Sequence, residues 1–192
     1  MPPEKQPRAD SVIYVFFGMI ATGKTLLSEA WAKGKKLSCY NSDRVRKELA
    51  GIDPTESRRE GIDVGIYTKE FSRKTYNALL NKAETEVTKG NSVVLDGSYQ
   101  YAHDRQDISA LAKKINAQVY FILCQCSETE MKRRMTVREK ETAAVSDGRW
   151  EIYLKQKQRF EPPDEIPASE LIVIDTDGPV HELLDQLERK LS

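Results

Sequence analysis

The chain contains 192 residues, of which 39% are hydrophobic and 31% are charged, and its 30 Lys and Arg residues are balanced by 30 Asp and Glu residues. This length and composition predict one globular domain with its own core and argue against disorder. The zero net charge gives no general attraction to nucleic acids or membrane surfaces, so binding to either would have to be local.

The sequence argues against both export through a signal peptide and insertion into a membrane. Residues 1–10 contain three prolines and several charges, which predicts a loose tail without the apolar core of a signal peptide. The longest apolar run, residues 12–21, is too short to cross a bilayer. The cysteines Cys39, Cys124 and Cys126 form no Cys-x-x-Cys pair, so we expect reduced thiols in a cytoplasmic protein.

Short apolar runs alternate along the chain with amphipathic segments. The runs that predict buried strands are residues 12–17, 37–41, 92–96, 117–124 and 171–175. The segments that predict helices are residues 25–33, 43–51, 67–89, 105–116, 127–159 with a break near 143–148, and 180–191. Residues 51–66 are polar and contain Gly and Pro, which indicates a loop or a partly helical insertion. This order predicts an α/β fold, a parallel sheet covered by helices on both faces, in a single domain of residues 1–192.

A phosphate-binding loop follows the first predicted strand. Its sequence, Gly18-Met19-Ile20-Ala21-Thr22-Gly23-Lys24-Thr25, matches G-x-x-x-x-G-K-[ST] at every fixed position. The glycines let the backbone fold round a phosphate chain, and the helix that opens at Lys24 adds its positive end. Lys24 can bridge the β- and γ-phosphates, and the Thr25 hydroxyl can ligate Mg²⁺. We therefore predict that this loop, with the next residue Leu26, binds ATP and Mg²⁺.

Other uses of such a loop fit the chain less well than phosphoryl transfer. The sequence Asn81-Lys82-Ala83-Glu84 lacks the Asp of a guanine-reading Asn-Lys-x-Asp motif and lies in a predicted helix. Asp96 is followed by Gly97, whereas an unfoldase-type ATPase would need a second acidic residue there. A short domain with an arginine-bearing segment favours an enzyme that phosphorylates a small molecule or a nucleic acid.

Two charged residues follow the second predicted strand. In open parallel sheets, ligands bind at the carboxyl ends of the strands. Asp43 could orient an acceptor hydroxyl there and take its proton. Arg46, one helical turn later, could bind an anionic group of the acceptor. The alternative is that Asp43 only caps the following helix and that Arg46 is a solvated charge.

Asp96 ends the third predicted strand, where proteins with a phosphate loop hold the Mg²⁺ shell. Ser98 and Tyr99 come next, in a loop that could contact the acceptor. The alternative is that Asp96 and Gly97 form an ordinary turn.

A basic segment follows the fourth predicted strand. Arg134 and Arg138 are four residues apart, so they share one face of the predicted helix. We predict that Arg134 is a catalytic residue at the transferred phosphoryl group and that Arg138 binds the nucleotide. Residues 132–150 have little apolar surface, which predicts a lid that is mobile without nucleotide. The alternative is an ordinary solvated helix.

On these motifs the sequence resembles the P-loop "predicted kinases" related to the 5′-hydroxyl kinase domain of polynucleotide kinase. Chloramphenicol phosphotransferase and zeta toxins are more distant relatives. The resemblance covers residues 12–179, and its motifs are the phosphate loop, Ser42-Asp43 with Arg46-Lys47, residues 92–99, the Arg134 and Arg138 pair, and residues 158–162. It implies a sheet of strand order 2-3-1-4-5, Asp43 as the acceptor-activating carboxylate, Arg46 as an acceptor-binding residue, lid arginines at positions 134 and 138, and adenine near the loop after Asp175.

The sequence thus predicts an ATP-dependent kinase that acts on a hydroxyl of a small metabolite, nucleoside or sugar derivative. A polynucleotide 5′-hydroxyl kinase is the second interpretation, and the zero net charge slightly disfavours it. A nucleotide-binding switch without turnover is the third, and intact Lys24, Asp43 and Arg134 argue against it. No membrane partner is expected, and the oligomeric state stays open.

Overall fold

The computed structural model describes residues 11–53, 65–142 and 147–192, with the side chains of 138–142 and 147–149 excluded. The predicted tail at residues 1–10 and most of the predicted insertion at 51–66 lie outside these ranges.

The described residues form five strands and seven helices. The strands are β1 (Val12–Phe17), β2 (Ser38–Asn41), β3 (Val93–Asp96), β4 (Gln118–Gln125) and β5 (Leu171–Asp175). The helices are α1 (Lys24–Lys35), α2 (Ser42–Leu49), α3 (Lys69–Thr88), α4 (Ala102–Lys114), α5 (Glu128–Thr142), α6 (Asp147–Arg159) and α7 (Val180–Leu191). A 3-10 turn at Gly65–Tyr67 precedes α3. The order of strands and helices confirms the sequence prediction, and α4 begins three residues earlier than predicted.

The five strands form one parallel sheet of order β2-β3-β1-β4-β5, which confirms the predicted fold class. β1 lies in the middle and pairs with β3 on one side and β4 on the other. Its residues are nearly all buried, as the continuous apolar run predicts for a strand covered on both faces. The phosphate loop, which follows β1, therefore emerges at the centre of the sheet's carboxyl edge.

Side chains that alternate along the strands build a core on each face. On one face, Val15 and Phe17 pack with Leu79 of α3 and Ile108 of α4. On the other face, Phe16 packs with residues of α1 and α7, which are Leu27, Trp31, Leu183 and Leu187. The period of two along β1 thus sends neighbouring side chains into different layers.

The predicted lid has an apolar anchor that sequence analysis did not find. Met131 and Met135 of α5 and Tyr153 of α6 are buried against Ala21 of the phosphate loop. Trp150 packs beside them, with its ring centroid 4.8 Å from that of Tyr153. Met135 and Trp150 lie within the predicted segment 132–150, so the expectation of little apolar surface is wrong at these two positions. The cause is that these residues are widely spaced among charges, and only the fold brings them together. The mobility of the segment without nucleotide stays a prediction.

All three cysteines are free thiols. Burial raises the pKa of Cys39 to about 11 and the pKa of Cys124 to about 12, so both thiols stay protonated near neutral pH. Within the described part of the chain, no helix is both long enough and apolar enough to span a membrane.

Candidate active site

The phosphate loop connects β1 to α1 through backbone conformations that require glycine. Gly18 and Gly23 have φ angles of 141° and 80°. A Cβ atom at Gly18 would collide with the carbonyl oxygen of Cys124, and one at Gly23 would come within 2.8 Å of Arg134 Nη1. Glycine is thus needed at both fixed positions for conformation, and at Gly18 also for space, because the atom that a Cβ would meet there belongs to the backbone.

The polar side chains of the phosphate loop lie in its second half. Lys24 opens α1, and its Nζ donates to the carbonyl oxygen of Met19 at 3.2 Å. Thr22 Oγ1 donates to the same oxygen at 2.8 Å. Thr25 lies in the first turn of α1 and is partly exposed, whereas the side chain of Leu26 is exposed. The loop therefore presents an ammonium group, a hydroxyl and the positive end of α1 together.

Arg134 contacts the carbonyl side of the phosphate loop. Its Nη1 donates to Ala21 O at 3.4 Å and to Thr176 Oγ1 at 3.1 Å, and its Nη2 donates to Thr176 O. Its Nε donates to Glu130 Oε1 at 2.7 Å. The role of Arg134 at the transferred phosphoryl group stays a prediction. The side chain of Arg138 lies outside the described residues.

Asp43 stands at the start of α2 with its carboxylate half-exposed. Its Oδ1 accepts from the Tyr67 hydroxyl at 2.8 Å, and its Oδ2 lies 3.0 Å from Lys47 Nζ. The side-chain cap of α2 is Asn41, whose Oδ1 accepts from the N–H groups of Asp43 and Arg44 at 3.0 and 3.1 Å. The alternative in which Asp43 caps this helix is therefore wrong, because Asn41 already does so. The carboxylate of Asp43 remains directed to polar side chains and solvent.

Arg46 is buried instead of solvated, so the second alternative is also wrong. Its guanidinium carbon lies 4.9 Å from the centroid of the Tyr67 ring. Its Nη2 is 3.5 Å from Ser72 Oγ, and its Nε has no hydrogen-bond partner among the described residues. A guanidinium that is buried with an unpartnered donor is costly unless an anion or water satisfies it.

Asp96 lies between the phosphate loop and α2 at the same sheet edge. It is fully buried, and it pairs in register with Phe16 of β1 and Asn41 of β2. Its Oδ2 accepts from Asn41 Nδ2 at 2.6 Å, and its Oδ1 has no partner among the described residues. A buried carboxylate oxygen of this kind suits a Mg²⁺ shell, since Mg²⁺ uses one or two carboxylates together with phosphate oxygens.

The loop after Asp96 joins the two halves of the site. Gly97 N–H donates to Phe16 O at 3.1 Å, and Ser98 O accepts from Gly18 N–H at 3.3 Å. Ser98 Oγ lies 2.9 Å from the hydroxyl of Tyr76. Tyr99 is almost completely buried at a φ of 40°, and its hydroxyl has no partner among the described residues. The loop is thus fixed to the phosphate loop at one end and to α3 at the other.

Arg105 is buried and anchors the loop that follows Asp96. Its side chain is 0% exposed, and its Nη1 donates to Tyr99 O at 2.8 Å. Its Nε and Nη2 donate to the Glu165 carboxylate at 2.5 and 3.1 Å. Nη2 also reaches the carbonyl oxygens of Glu161 and Pro162, each at 3.1 Å. Burial alone would raise the pKa of Glu165, but the hydrogen bonds and charge of Arg105 outweigh it and lower that pKa.

Sequence analysis missed several residues of this region for different reasons. Asn41 and Lys47 carried local signals, since an Asn before a helix is a good cap and Lys47 is four residues after Asp43. Tyr67 and Arg105 carried none, because their partners are distant in the chain. The same holds for Gln156 of α6, whose side-chain oxygen accepts from the Ile20 N–H group.

The chain belongs to the AAA domain family, because the family model matches residues 13–163. Among curated proteins, an uncharacterized protein of Mycobacterium tuberculosis is 25% identical over 121 residues, which are 63% of this chain and 24% of that protein. An uncharacterized protein of Mycobacterium bovis matches with the same values. The chain therefore spans about a quarter of the length of these curated relatives.

Several solved structures share the fold at low sequence identity. A provisionally assigned kinase from Chloroflexus aurantiacus has a TM-score of 0.70 and 19% identity, covering 96% of this chain and 100% of that chain. A gluconokinase from Sinorhizobium meliloti has a TM-score of 0.64 and 17% identity, covering 97% and 92%. The Mycobacterium tuberculosis APS kinase in complex with AMPPNP and APS has a TM-score of 0.62 and 14% identity, covering 95% and 97%. The fold is thus that of small P-loop kinases.

Proposed function

We propose that this member of the AAA domain family is an ATP- and Mg²⁺-dependent kinase that phosphorylates a hydroxyl of a small metabolite, nucleoside or sugar derivative. The observation that carries the proposal is the arrangement of one sheet edge. The phosphate loop follows β1, Asp43 follows β2, and the buried Asp96 ends β3 between them. Neighbouring strands lie about 4.8 Å apart, so the two outer strand ends are separated by roughly 10 Å, a span that a triphosphate and an acceptor hydroxyl can fill.

The residues of this edge suit an in-line transfer. The phosphate loop and Lys24 would bind the β- and γ-phosphates, and Thr25 and Asp96 would hold Mg²⁺, which offsets the charge on the phosphate oxygens. Asp43 would take the proton of the acceptor hydroxyl as its oxygen bonds to the γ-phosphorus. The bond from that phosphorus to the β–γ bridging oxygen breaks, and ADP leaves. Tyr67 and Lys47 orient the Asp43 carboxylate for this role.

The acceptor itself would carry a negative group. Arg46 is buried with an unpartnered Nε, and Lys47 beside it is also buried. Lys47 is already paired with Asp43, so the buried guanidinium of Arg46 is the group that favours an acceptor with a phosphate or carboxylate near the reacting hydroxyl. Ser98 lies on the other side of this region, on the loop fixed to the phosphate loop. We expect its hydroxyl, and the edge of the Tyr99 ring, to limit the size of the acceptor.

A polynucleotide 5′-hydroxyl kinase is the second candidate function. The resemblance to the kinase domain of polynucleotide kinase supports the same phosphoryl transfer, with the 5′-hydroxyl end of a nucleic acid as the acceptor. The proposed lid lies within residues 127–159. Its base at Met131, Met135 and Tyr153 is packed against the phosphate loop, and the rest of the segment would close over the nucleotide and exclude water. Arg134 and Arg138 would then bind the phosphate chain.

Transfer of labelled phosphate from γ-labelled ATP tests the proposal directly. Pools of hydroxyl metabolites, with and without anionic groups, are compared with 5′-hydroxyl oligonucleotides. We expect one anionic metabolite pool to be labelled well above the others. Labelling of the oligonucleotides alone would favour the polynucleotide kinase. Slow ATP hydrolysis that no hydroxyl compound changes would contradict the kinase and favour a switch.

A further inference from the structure

A glutamine of α6 reaches the backbone of the phosphate loop across 136 residues of chain. Gln156 Oε1 accepts from the N–H group of Ile20 at 2.7 Å. Because a backbone N–H can only donate, the atom that faces it must be the carboxamide oxygen, so the orientation of this amide is fixed. The site described above uses neither of these two groups.

The same peptide unit is bonded at its other end. The carbonyl of Met19 belongs to the peptide whose nitrogen is that of Ile20, and it accepts from Lys24 Nζ at 3.2 Å and from Thr22 Oγ1 at 2.8 Å. In a trans peptide the C=O and N–H bonds point in opposite directions. Gln156 and Lys24 therefore hold the plane of the Met19–Ile20 peptide from opposite sides. Rotation of this peptide would break both sets of bonds together.

The helix that carries Gln156 is packed firmly enough to act as a support. Tyr153, one turn earlier in α6, is buried against Ala21, Met131 and Met135. The carboxamide of Gln156 is itself partly buried. The oxygen is therefore presented by a packed helix, and not by a mobile surface side chain.

We propose that Gln156 is a positioning residue of the nucleotide site, which fixes the Met19–Ile20 peptide and, through its carbonyl group, the ammonium group of Lys24. This inference rests on the proposed function, because it assumes that Lys24 binds the phosphates of ATP. Gln156 acts through Lys24 and needs no contact with the nucleotide. Its acceptor oxygen is the essential feature, and its NH₂ group is not.

The test measures the affinity of the whole protein for Mg·AMPPNP, by titration and by the thermal shift at millimolar nucleotide. Gln156→Met keeps the length of the side chain and removes the acceptor, so we expect affinity to fall about 2- to 10-fold, the usual effect of one hydrogen bond. Gln156→Glu keeps an acceptor oxygen and should recover most of that loss. Gln106→Met, an exposed position on α4 outside the site, serves as the matched control and should bind as the original chain does.

A double-mutant cycle distinguishes a role of Gln156 in positioning Lys24 from a role in general support of the fold. If Gln156 acts through Lys24, then Gln156→Met should weaken binding no further in a Lys24→Met background. Additive losses would overturn the proposal, and so would equal losses in Gln156→Met and Gln156→Glu or an unchanged affinity in Gln156→Met. If Gln156→Met does not fold, Gln156→Asn is used, since it keeps the amide but is one methylene too short. Failure of the original chain to bind AMPPNP would instead refute the kinase proposal, and this inference with it.

Discussion

The two sides of the candidate site differ in how completely the protein satisfies its own polar groups. On the nucleotide side, three consecutive residues of the phosphate loop are bonded from outside: Ile20 N–H by Gln156, Ala21 O by Arg134 and Thr22 O by Thr176 Oγ1. On the acceptor side, Arg46 Nε and the Tyr99 hydroxyl oxygen are buried without a hydrogen-bond partner among the described residues. Asp96 Oδ1, the proposed Mg²⁺ ligand between the two sides, is also buried without such a partner.

This difference indicates that the two sides are organised in different ways. The phosphate loop, which we propose binds ATP, is held in shape by contacts within the protein, so it would need little rearrangement to bind phosphate. The acceptor side keeps buried donors and acceptors for a ligand, at a cost in folding free energy that binding can remove. Substitutions on each side should therefore affect nucleotide binding and acceptor phosphorylation separately.

Lys24→Ala should reduce phosphoryl transfer to the limit of detection and leave the fold intact. The side chain points to the loop carbonyl of Met19 and not into either core, so its loss removes charge stabilisation without removing packing. Transfer from γ-labelled ATP and the thermal midpoint are measured together. Lys33→Ala, an exposed position on the same helix, is the control. Unchanged turnover in purified Lys24→Ala protein would refute the nucleotide side as described.

Asp43→Asn should lower turnover by roughly 10²–10⁴-fold, the usual range for loss of a general base. Nucleotide affinity should hardly change, because Asp43 belongs to the acceptor side and bonds Tyr67 and Lys47. Turnover is measured with the acceptor identified by the screen, and AMPPNP affinity by titration. Glu48→Gln, also on α2 and exposed, should retain activity. A parallel loss of nucleotide binding in Asp43→Asn would show that the two sides are not separate.

Arg105→Met should destabilise the protein by about 3–5 kcal/mol, the usual cost of removing one partner of a buried ion pair. The change leaves the half-buried Glu165 carboxylate and the carbonyl of Tyr99 without their donor. Urea unfolding gives the free energy of unfolding. Lys114→Met is the comparison, since Lys114 pairs with Glu84 at the surface and should cost less than about 1 kcal/mol. Similar losses of unfolding free energy in the two variants would mean that Arg105 does not brace the loop after Asp96. If Arg105→Met fails to fold, Glu165→Gln is the milder variant.

The smallest expected effect is on the pH dependence of the protein's stability, and it concerns an acidic residue of the nucleotide side. Hydrogen bonds from Arg133, together with those from Arg134, lower the pKa of Glu130 to about 2 from an ordinary value of 4.5. Because the folded-state pKa is depressed, the stabilisation is complete above about pH 4.5 and is lost as the pH falls towards 2. Glu130→Gln should therefore flatten the acid limb of the stability curve, and it should lower the thermal midpoint at pH 7 by no more than about 3 °C. Glu151→Gln, exposed on α6, is the control, and an acid limb unchanged in Glu130→Gln would contradict the assignment.

The fold and the phosphate loop at the centre of the nucleotide side could be predicted from local patterns in the sequence. The five strands were visible as short, mostly apolar runs. β1 and β3 are buried on both faces and need no polar alternation, whereas β2 is half-buried and β5 alternates between buried and exposed residues. The phosphate loop was visible because its conformation demands glycine at Gly18 and Gly23 and its chemistry demands Lys24 next to them. These are requirements that neighbouring residues impose on one another, so they leave a local pattern.

Only the tertiary structure decided which side chains support that centre. Arg134 was recognised as a functional arginine, but its contacts with Ala21 and Thr176 depend on how α5 packs over the loop. Gln156 and Arg105 looked like ordinary polar helix residues in the sequence. Their partners are 136 and up to 60 residues away, respectively. Such contacts carry no local signal, because a hydrogen bond constrains the two atoms that meet and not the chain between them.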